Sequence, residues 1–336
     1  MLMKKDPFFT LLTLGMALIA PASLRAAEGS YHLLKEIPVG GASSWDYLSV
    51  DEAGRRLYVS HGTEVVVIDI DKDTVAGKIA DTPRVHGFAP APDLGRGVAS
   101  NGGENKASVV DLKTLETITK LDTERNPDGM LYEPGQHEVY LFNGGSASAT
   151  VINVKEAKVV ATVPLGGKPE FGTADPAAGR VYNNLEDKNA VVVIDTKTHG
   201  VVATWPITGG EEPSGMAIDT AHHRLFIGCG GNNKMVMMDS SNGKVIASVP
   251  IGAGVDANAF DPGTQLAFAS CGGAGETTIA HEDSPDKLTV VQTLKTEKGA
   301  RTMTVDPKTH KIYLSVGQRN GPPNNFKVLV YEMLKP

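Results

Sequence analysis

Seven polar residues recur along the sequence at intervals of 40 to 45 residues, and brought together they could bind a cation or transfer a proton. Four of the seven are carboxylates, one is a histidine and one is an arginine. Carboxylates and imidazoles are ligands for divalent metal ions, and the same groups act as general acids and bases. We call this set the mouth ring, because the strands that carry it should converge at the mouth of a central channel, as argued from the repeats below. Its members are Asp46, His86, Asp128, Glu170, Ser214, Asp256 and Arg301.

The charges of the mouth ring divide it into two groups. If the first and last members are neighbours in a closed ring, Arg301 lies between Asp256 and Asp46 and neutralises both. His86, Asp128 and Glu170 are then left without a cation, and converging carboxylates either raise a pKa or recruit a cation. We therefore predict that these three bind one divalent cation, which could be calcium, magnesium, manganese or zinc. The alternative is a wide, hydrated mouth in which the charges are only solvated.

Catalytic and ligand-binding roles can be assigned within the same set. If the protein is an enzyme, His86 and Glu170 are the predicted catalytic residues. Trp45 could stack on a ligand beside the ring, and packing is the alternative role for it. The sequence contains no Cys-x-x-Cys-His haem signature and no phosphate-binding loop, so we expect neither haem nor a nucleotide cofactor. The predicted ligand-binding residues are Asp46, Ser214, Asp256, Arg301, His61 and Trp45.

The elements that must position these residues are short β-strands. Between Lys168 and Gly210, four runs rich in β-branched and aromatic residues are separated by Asp-Pro, Asn and Gly turn signals. This pattern recurs with the period of the mouth ring, and four strands every 40 to 45 residues are typical of a propeller blade. The sequence therefore predicts an all-β, seven-bladed β-propeller of four-stranded blades. Equivalent second-strand residues are Tyr58, Val98, Tyr140, Tyr182, Phe226, Phe268 and Tyr313.

The last repeat lacks a fourth strand, which indicates how the ring closes. After Val328–Tyr331 only five residues remain, but the segment from Tyr31 to Gly41 is similar to the fourth strands of other repeats. We predict that this first mature strand completes the last blade and removes its open edge. The first strand of each blade should be innermost, which places the mouth ring at one end of the central channel.

The repeats resemble a known family. The segments RLYVSHG, RVYNNLED and RLFIGCG, with the VVVID runs that follow, are similar to the YVTN-repeat, YncE-like group of exported bacterial seven-bladed propellers across residues 31–331. The second repeat departs from the pattern with GRGVAS, and the sixth departs with TTIAHED in its third strand. The resemblance implies the fold and export; it does not imply one activity, because propellers include binding proteins, scaffolds, lyases and lactonases.

The N-terminus has the features of a secretory signal. Residues 1–26 contain Lys4 and Lys5, an apolar run from Phe8 to Ala20 and a small-residue stretch that could be cleaved. We predict a signal peptide over 1–26 and a single propeller domain over 27–336, periplasmic or secreted and without stable membrane insertion. A retained N-terminal anchor is the alternative. The net charge of −7 and the lack of a basic stripe argue against a nucleic-acid partner.

The cysteines and the remaining histidines form weaker patterns. Cys229 and Cys271 occupy equivalent positions in consecutive repeats, and in an exported protein they could form a disulfide. Equivalent positions on neighbouring blades should exceed the roughly 7 Å Cα limit, so two separate thiols are favoured, and a soft-metal site with His61 is a third possibility. Four histidines should be solvated turn residues on the opposite face, namely His137, His222, His223 and His310.

Two function classes fit this sequence. We favour an exported propeller that binds a small ligand, a metal ion or a protein partner at the mouth of its channel. The alternative is a metal-assisted lactonase or lyase. The mouth ring is similar in kind to the channel mouth of gluconolactonase-like propellers, which implies a divalent cation held by Glu, Asn and Asp. No Asn belongs to the mouth ring, but Asn101 and Asn143 could reach the rim.

Overall fold

The predicted seven-bladed β-propeller is confirmed by a computed structural model, which describes residues 30–41, 44–317 and 324–334. Within these ranges, the strands form seven separate sheets of four antiparallel strands each. The predicted signal peptide lies outside the described residues. A search of the described part for a helix long and apolar enough to cross a membrane found none.

The blades follow one another along the chain, and the closing strand β1 (Tyr31–Pro38) belongs to the last one. Blade 1 comprises β2 (Trp45–Asp51), β3 (Arg56–His61), β4 (Glu64–Asp69) and β5 (Thr74–Ile79). Blade 2 comprises β6 (Val85–Ala91), β7 (Arg96–Asn101), β8 (Lys106–Asp111) and β9 (Thr117–Asp122). Blade 3 comprises β10 (Pro127–Glu133), β11 (Glu138–Asn143), β12 (Ser148–Asn153) and β13 (Lys158–Pro164). Blade 4 comprises β14 (Pro169–Asp175), β15 (Arg180–Leu185), β16 (Ala190–Asp195) and β17 (Val201–Pro206).

The remaining three blades have the same order. Blade 5 comprises β18 (Pro213–Asp219), β19 (Arg224–Cys229), β20 (Lys234–Asp239) and β21 (Val245–Pro250). Blade 6 comprises β22 (Val255–Asp261), β23 (Leu266–Cys271), β24 (Glu276–Ser284) and β25 (Lys287–Lys295). Blade 7 comprises β26 (Thr302–Asp306), β27 (Lys311–Val316), β28 (Lys327–Met333) and β1. Two short 3₁₀ turns in the described ranges cover Pro92–Leu94 and Glu186–Lys188.

The hydrophobic core lies between adjacent blades. The second and third strands of each blade are buried on both faces, which explains why they read as continuous apolar runs such as the VVVI of β16. The fourth strands are mostly exposed, as in β17. Between blades 4 and 5, for example, Tyr182 and Val193 pack with Leu225 and Ile227. Each blade therefore buries its faces against its neighbours, and a single blade could not fold alone.

Ring closure occurs as predicted. Strand β1 pairs antiparallel with β28, with Tyr31 opposite Met333 and Ile37 opposite Val328. The strand also contacts blade 6, because the Tyr31 ring meets the Phe268 ring edge-on at 5.4 Å between centroids. Strand β1 thus completes blade 7 and joins it to the preceding blade.

Each first strand runs from the channel mouth to the opposite side of the disc, which we call the turn face because the tight turns between first and second strands lie there. Six of the seven first strands end on a buried carboxylate, and blade 2 ends instead on Ala91. These carboxylates accept hydrogen bonds from the following turn: Asp51 from the Gly54 N–H at 2.8 Å, and Asp261 from the Gly263 N–H at 3.0 Å. The acidic signal seen in the sequence is therefore a turn cap.

Candidate functional site at the channel mouth

The mouth ring occupies equivalent positions on the seven innermost strands. In blades 1 to 6 each member is the second residue of the first strand, and Arg301 directly precedes β26. All seven are partly buried. The strand pattern explains this exposure, because the residue before each of the first six members is a buried apolar or proline residue that anchors the strand. The seven polar side chains therefore end at one mouth of the channel, as the sequence predicts.

Arg301 bridges two carboxylates across the point where the ring closes. One guanidinium nitrogen, Nη1, contacts Asp256, and Nη2 lies 3.3 Å from Asp46 Oδ1. Nη2 also donates to the Trp45 carbonyl oxygen at 3.2 Å. The predicted position of Arg301 between Asp256 and Asp46, in contact with both, is confirmed. On the other side of Asp256, the Ser214 hydroxyl donates to Oδ1 at 3.1 Å.

Asp46 also contacts the histidine of the next blade, which the sequence analysis placed in a separate group. His86 Nδ1 lies 2.7 Å from Asp46 Oδ2 and 3.4 Å from Asp128 Oδ1. One potential ligand atom from each of these three residues lies within 4.8 Å of the others. The group that the structure brings together therefore contains Asp46 where we predicted Glu170.

Glu170 has a cation of its own, so the expectation that it lacks one is wrong. Lys168 Nζ lies 2.7 Å from Glu170 Oε1, and the same ammonium group contacts Glu186. Lys168 was missed because it lies outside the repeated position, two residues before Glu170 on the approach to the same strand. With Glu170 paired to Lys168, the compact cluster consists of Asp46, His86 and Asp128.

Burial shifts several ionisation equilibria at the mouth. It raises the pKa of Asp128 to about 6, although the neighbouring His86 opposes the shift. It also raises the pKa of Glu170 to about 7 against the effect of Lys168. For His86, burial lowers the pKa, but the hydrogen bond with Asp46 and the Asp128 charge outweigh it, and the net shift is upward. The mouth therefore holds groups that change protonation near neutral pH.

Two aromatic rings close the channel beneath the mouth. Tyr47 of β2 and Phe171 of β14 follow mouth-ring residues on nearly opposite blades, and their centroids lie 4.7 Å apart. Below them lies a cavity of about 260 Å³ lined by inner strands. The Tyr47 and Phe171 rings thus form an aromatic floor between the mouth ring and this cavity. Sequence reasoning missed this floor, yet the signal was present, because the equivalent position is small in four other blades: Gly87, Gly129, Gly215 and Ala257.

The two predicted aromatic ligand contacts have packing partners. The buried Trp45 ring packs on Phe326 at 5.8 Å between centroids. His61, also buried, stacks on the same Phe326 ring at 4.5 Å between centroids, and its Nδ1 lies 3.7 Å from Glu64 Oε1. The packing alternative for Trp45 is therefore the one that this arrangement supports.

The two cysteines and the two candidate asparagines are buried within their blades. Cys229 and Cys271 are buried free thiols, so the disulfide alternative is wrong, and burial raises their pKa values to about 12 and about 11. Asn101 and Asn143 are also fully buried. Their amides donate within their own blades, to Ser108 at 2.9 Å and to Thr150 at 3.0 Å. The expectation that they could reach the rim is wrong, because hydroxyl groups on the adjacent third strand hold them.

The turn-face histidines are partly exposed, but three of the four predicted as solvated residues contact carboxylates. His137 lies 3.2 Å from Asp93, and His310 lies 2.7 Å from Asp261. His222 lies 2.6 Å from Asp219. The fourth, His223, is exposed. Solvation alone therefore does not describe these side chains.

Comparisons with known proteins identify the fold. No family model matches the sequence, and no curated protein matches it. Among solved structures, a chain of Kuenenia stuttgartiensis Hydrazine Synthase is 17% identical with a TM-score of 0.74, covering 85% of this chain and 95% of that one. A chain of the Mitotic Checkpoint Complex is 12% identical with a TM-score of 0.77, covering 97% and 100%. U3-55K is 12% identical with a TM-score of 0.73, covering 91% and 98%. At these identities the likeness shows the fold alone.

Proposed function

We propose that this protein is an exported binding protein of the YVTN-repeat type, whose channel mouth binds a cation. The cation would be a divalent metal ion or a positively charged group on a small molecule or protein partner. The observation that carries the proposal is the cluster of Asp46, His86 and Asp128, whose potential ligand atoms lie within 4.8 Å of one another. A seven-bladed propeller suits such a role in general, because its converging strands present side chains from every blade at one mouth.

The balance of charge at the mouth favours a positively charged ligand. Arg301 is shared between Asp256 and Asp46, and Lys168 is shared between Glu170 and Glu186. Five carboxylates thus face two permanent cations. Among the described residues, Asp128 has no lysine or arginine nitrogen within 4.0 Å. A cation bound beside Asp128 would offset this excess negative charge.

The ligand could belong to a protein as well as to a small molecule. One similar fold occurs in a chain of the Mitotic Checkpoint Complex, an assembly of proteins, which supports including a protein partner.

Export is supported by the basic residues, apolar run and small-residue stretch within residues 1–26. N-terminal sequencing of the protein recovered from the periplasm would test it, and an intact N-terminus on cytoplasmic protein would contradict it.

Calorimetric titration of the untagged mature protein with calcium, magnesium, manganese and zinc tests the mouth. Asp128→Asn keeps the shape of the side chain and removes one charge, so we expect at least about tenfold weaker binding of the preferred ion. Asp122→Asn is the matched control, because Asp122 is exposed at the end of β9, the outermost strand of blade 2. Equal affinities for all three proteins would overturn the proposal.

A second candidate function, metal-assisted lactone hydrolysis or lyase chemistry, is favoured by one observation. Asp128 and Glu170 have pKa values raised to about 6 and about 7, which suits general acid–base catalysis at neutral pH. Turnover of a lactone panel in the presence of each metal, with loss of turnover in His86→Asn and Glu170→Gln, would support the enzyme. Metal binding without turnover would favour the binding protein.

A further inference from the structure

A second group of potential ligand atoms lies on the turn face, where blades 5 and 6 meet. Asp219 ends β18, His222 lies in the turn that follows, and Glu282 belongs to β24 of the next blade. His222 Nδ1 lies 2.6 Å from Asp219 Oδ2 and 3.5 Å from Glu282 Oε1. One ligand atom from each residue lies within 4.8 Å of the others. This group is on the opposite side of the disc from the mouth ring.

Glu282 is a buried carboxylate where other blades bury uncharged side chains. Its backbone N–H donates to the carbonyl of Gln265, and the same bond identifies the equivalent residue in the preceding blades. Only 3% of Glu282 is exposed, and neither carboxylate oxygen has a hydrogen-bond partner. Burying an unpartnered carboxylate is costly. The equivalent buried residues of blades 1 to 5 are Ile70, Leu112, Val154, Thr196 and Ser240.

Asp219 also lacks the basic partner that two of its five equivalents receive from the next blade. Asp306 of blade 7 binds Arg55 of blade 1 with 2.7 Å between Oδ2 and Nη2, and Asp261 of blade 6 binds His310 of blade 7. The residue at that position in blade 6 is the uncharged Gln265, whose amide donates instead to the Pro262 carbonyl oxygen. Asp219 therefore lies beside a second carboxylate at a position where blades 1 and 7 provide a base to the preceding blade.

The nearby Arg224 does not supply the missing positive charge beside Asp219 and Glu282. Arg224 begins β19, but its guanidinium lies 3.4 Å from Asp239 and 3.6 Å from Asp286, and its Nε donates to the Pro285 carbonyl oxygen. Two carboxylates and one imidazole thus converge with a deficit of positive charge. His222 is 41% exposed on its side chain, which leaves a route for an ion to enter.

We infer that Asp219, His222 and Glu282 bind a divalent metal ion such as zinc, which joins blade 5 to blade 6. Imidazole nitrogens and carboxylate oxygens are both ligands that zinc takes in proteins. The two buried carboxylates would supply the charge that holds the ion, and the partly exposed His222 would leave one coordination position open to solvent. The unusual TTIAHED sequence of the sixth repeat places Glu282 at this site.

Zinc binding can be measured in the Asp128→Asn protein, in which zinc binding at the mouth ring should be weakened. Equilibrium dialysis with elemental analysis should show one zinc per chain that is lost when Glu282→Gln is added. Zinc should also raise the melting temperature of the Asp128→Asn protein and leave that of the double variant unchanged.

Two further variants, also in the Asp128→Asn background, test the site if the Glu282→Gln protein folds poorly. Glu282→Leu introduces the residue that blade 2 has at this position, Leu112, and should fold without metal. His222→Ala removes a partly exposed side chain and should also abolish the bound zinc. Should the two carboxyl groups merely share a proton, zinc would bind equally, or not at all, in the Asp128→Asn protein and in all three added variants, and the inference would be overturned.

Discussion

At the scale of single residues, the mouth is organised by side chains that each serve two neighbours. Asp46 contacts Arg301 through one oxygen and His86 through the other. Lys168 contacts both Glu170 and Glu186. Because these contacts are shared, the loss of one residue leaves charges exposed to each other on adjacent blades. The network is therefore sensitive to changes at its cations.

Replacing Arg301 with alanine should expose this sensitivity. Asp256 and Asp46 would then face each other without a cation, and we expect the free energy of unfolding to fall by about 2 kcal/mol, since the guanidinium is only partly exposed. Added divalent cation should restore part of the loss. Urea denaturation with and without calcium measures both effects. Arg125→Ala, at an exposed arginine, is the control, and an Arg301→Ala protein as stable as the parent would contradict the bridge.

The raised pKa values at the mouth predict how stability depends on pH. In the folded protein the pKa of Asp128 is about 6, that of Glu170 is about 7 and that of His86 is raised, so each group binds its proton more tightly than in the unfolded chain. Their contribution is complete below the unfolded pKa values and is lost as pH rises through the folded ones. The metal-free protein should therefore lose stability between about pH 4 and about pH 8.

The variant Asp128→Asn, Glu170→Gln provides the comparison for this pH effect. Its amides do not titrate, so its free energy of unfolding should fall less than that of the parent over the same range. Denaturant unfolding in chelator at several pH values measures the difference. Parallel curves for the two proteins would show that these carboxyl groups do not carry the effect.

Prediction of single contacts succeeded where the contact follows from the position of a residue in its repeat. It failed where the contact depends on the conformation of a long side chain. The bridge by Arg301 follows from one repeated position per blade and a closed ring. The pairing of Lys168 with Glu170 and of His86 with Asp46 depends on side-chain rotamers, which repeat alignment does not specify. Glu282 differs visibly from its equivalents in the sequence, but its burial beside Asp219 becomes evident only when blades 5 and 6 are packed together.

At the scale of elements, the repeated β-strands were predictable because each strand carries a local signal. The third strands read as apolar runs because both of their faces are buried. In the fourth strands, such as β17, exposed residues alternate with partly buried ones, because one face meets solvent. The floor formed by Tyr47 and Phe171 was not predictable in this way. Two large residues at a position that is otherwise small can meet only because the channel is narrow enough for rings from distant blades to touch.

The first strand of blade 5 links the two candidate sites. The second residue of β18, Ser214, belongs to the mouth ring, and its last residue, Asp219, caps the turn on the opposite face. Five residue steps at roughly 3.3 Å per residue separate the two positions by about 17 Å. We therefore expect metal binding at one face to leave affinity at the other unchanged, unless the inner strands shift.

At the scale of the whole molecule, stability depends on the closure of the ring by β1. This strand pairs with β28, buries Tyr31 and Ile37, and hydrogen-bonds through the Tyr31 backbone to the Gln292 side chain of blade 6. Without it, β28 would become an exposed edge strand, and the faces of blades 6 and 7 would lose apolar partners. The closing strand therefore acts on two blades, although it comes from the other end of the chain.

Deleting residues 27–41 should consequently weaken the whole ring. We expect the free energy of unfolding to fall by at least about 3 kcal/mol, from the loss of two buried side chains and the strand pairing, and we expect concentration-dependent association through the open edge. Thermal melting and size-exclusion chromatography measure the two effects. The matched control is Leu33→Ser, Leu34→Ser, which changes exposed positions of the same strand and should behave like the parent. A truncated protein that melts within about two degrees of the parent and stays monomeric would show that the other six blades hold the ring without β1, because a loss of 3 kcal/mol would lower the melting temperature by more.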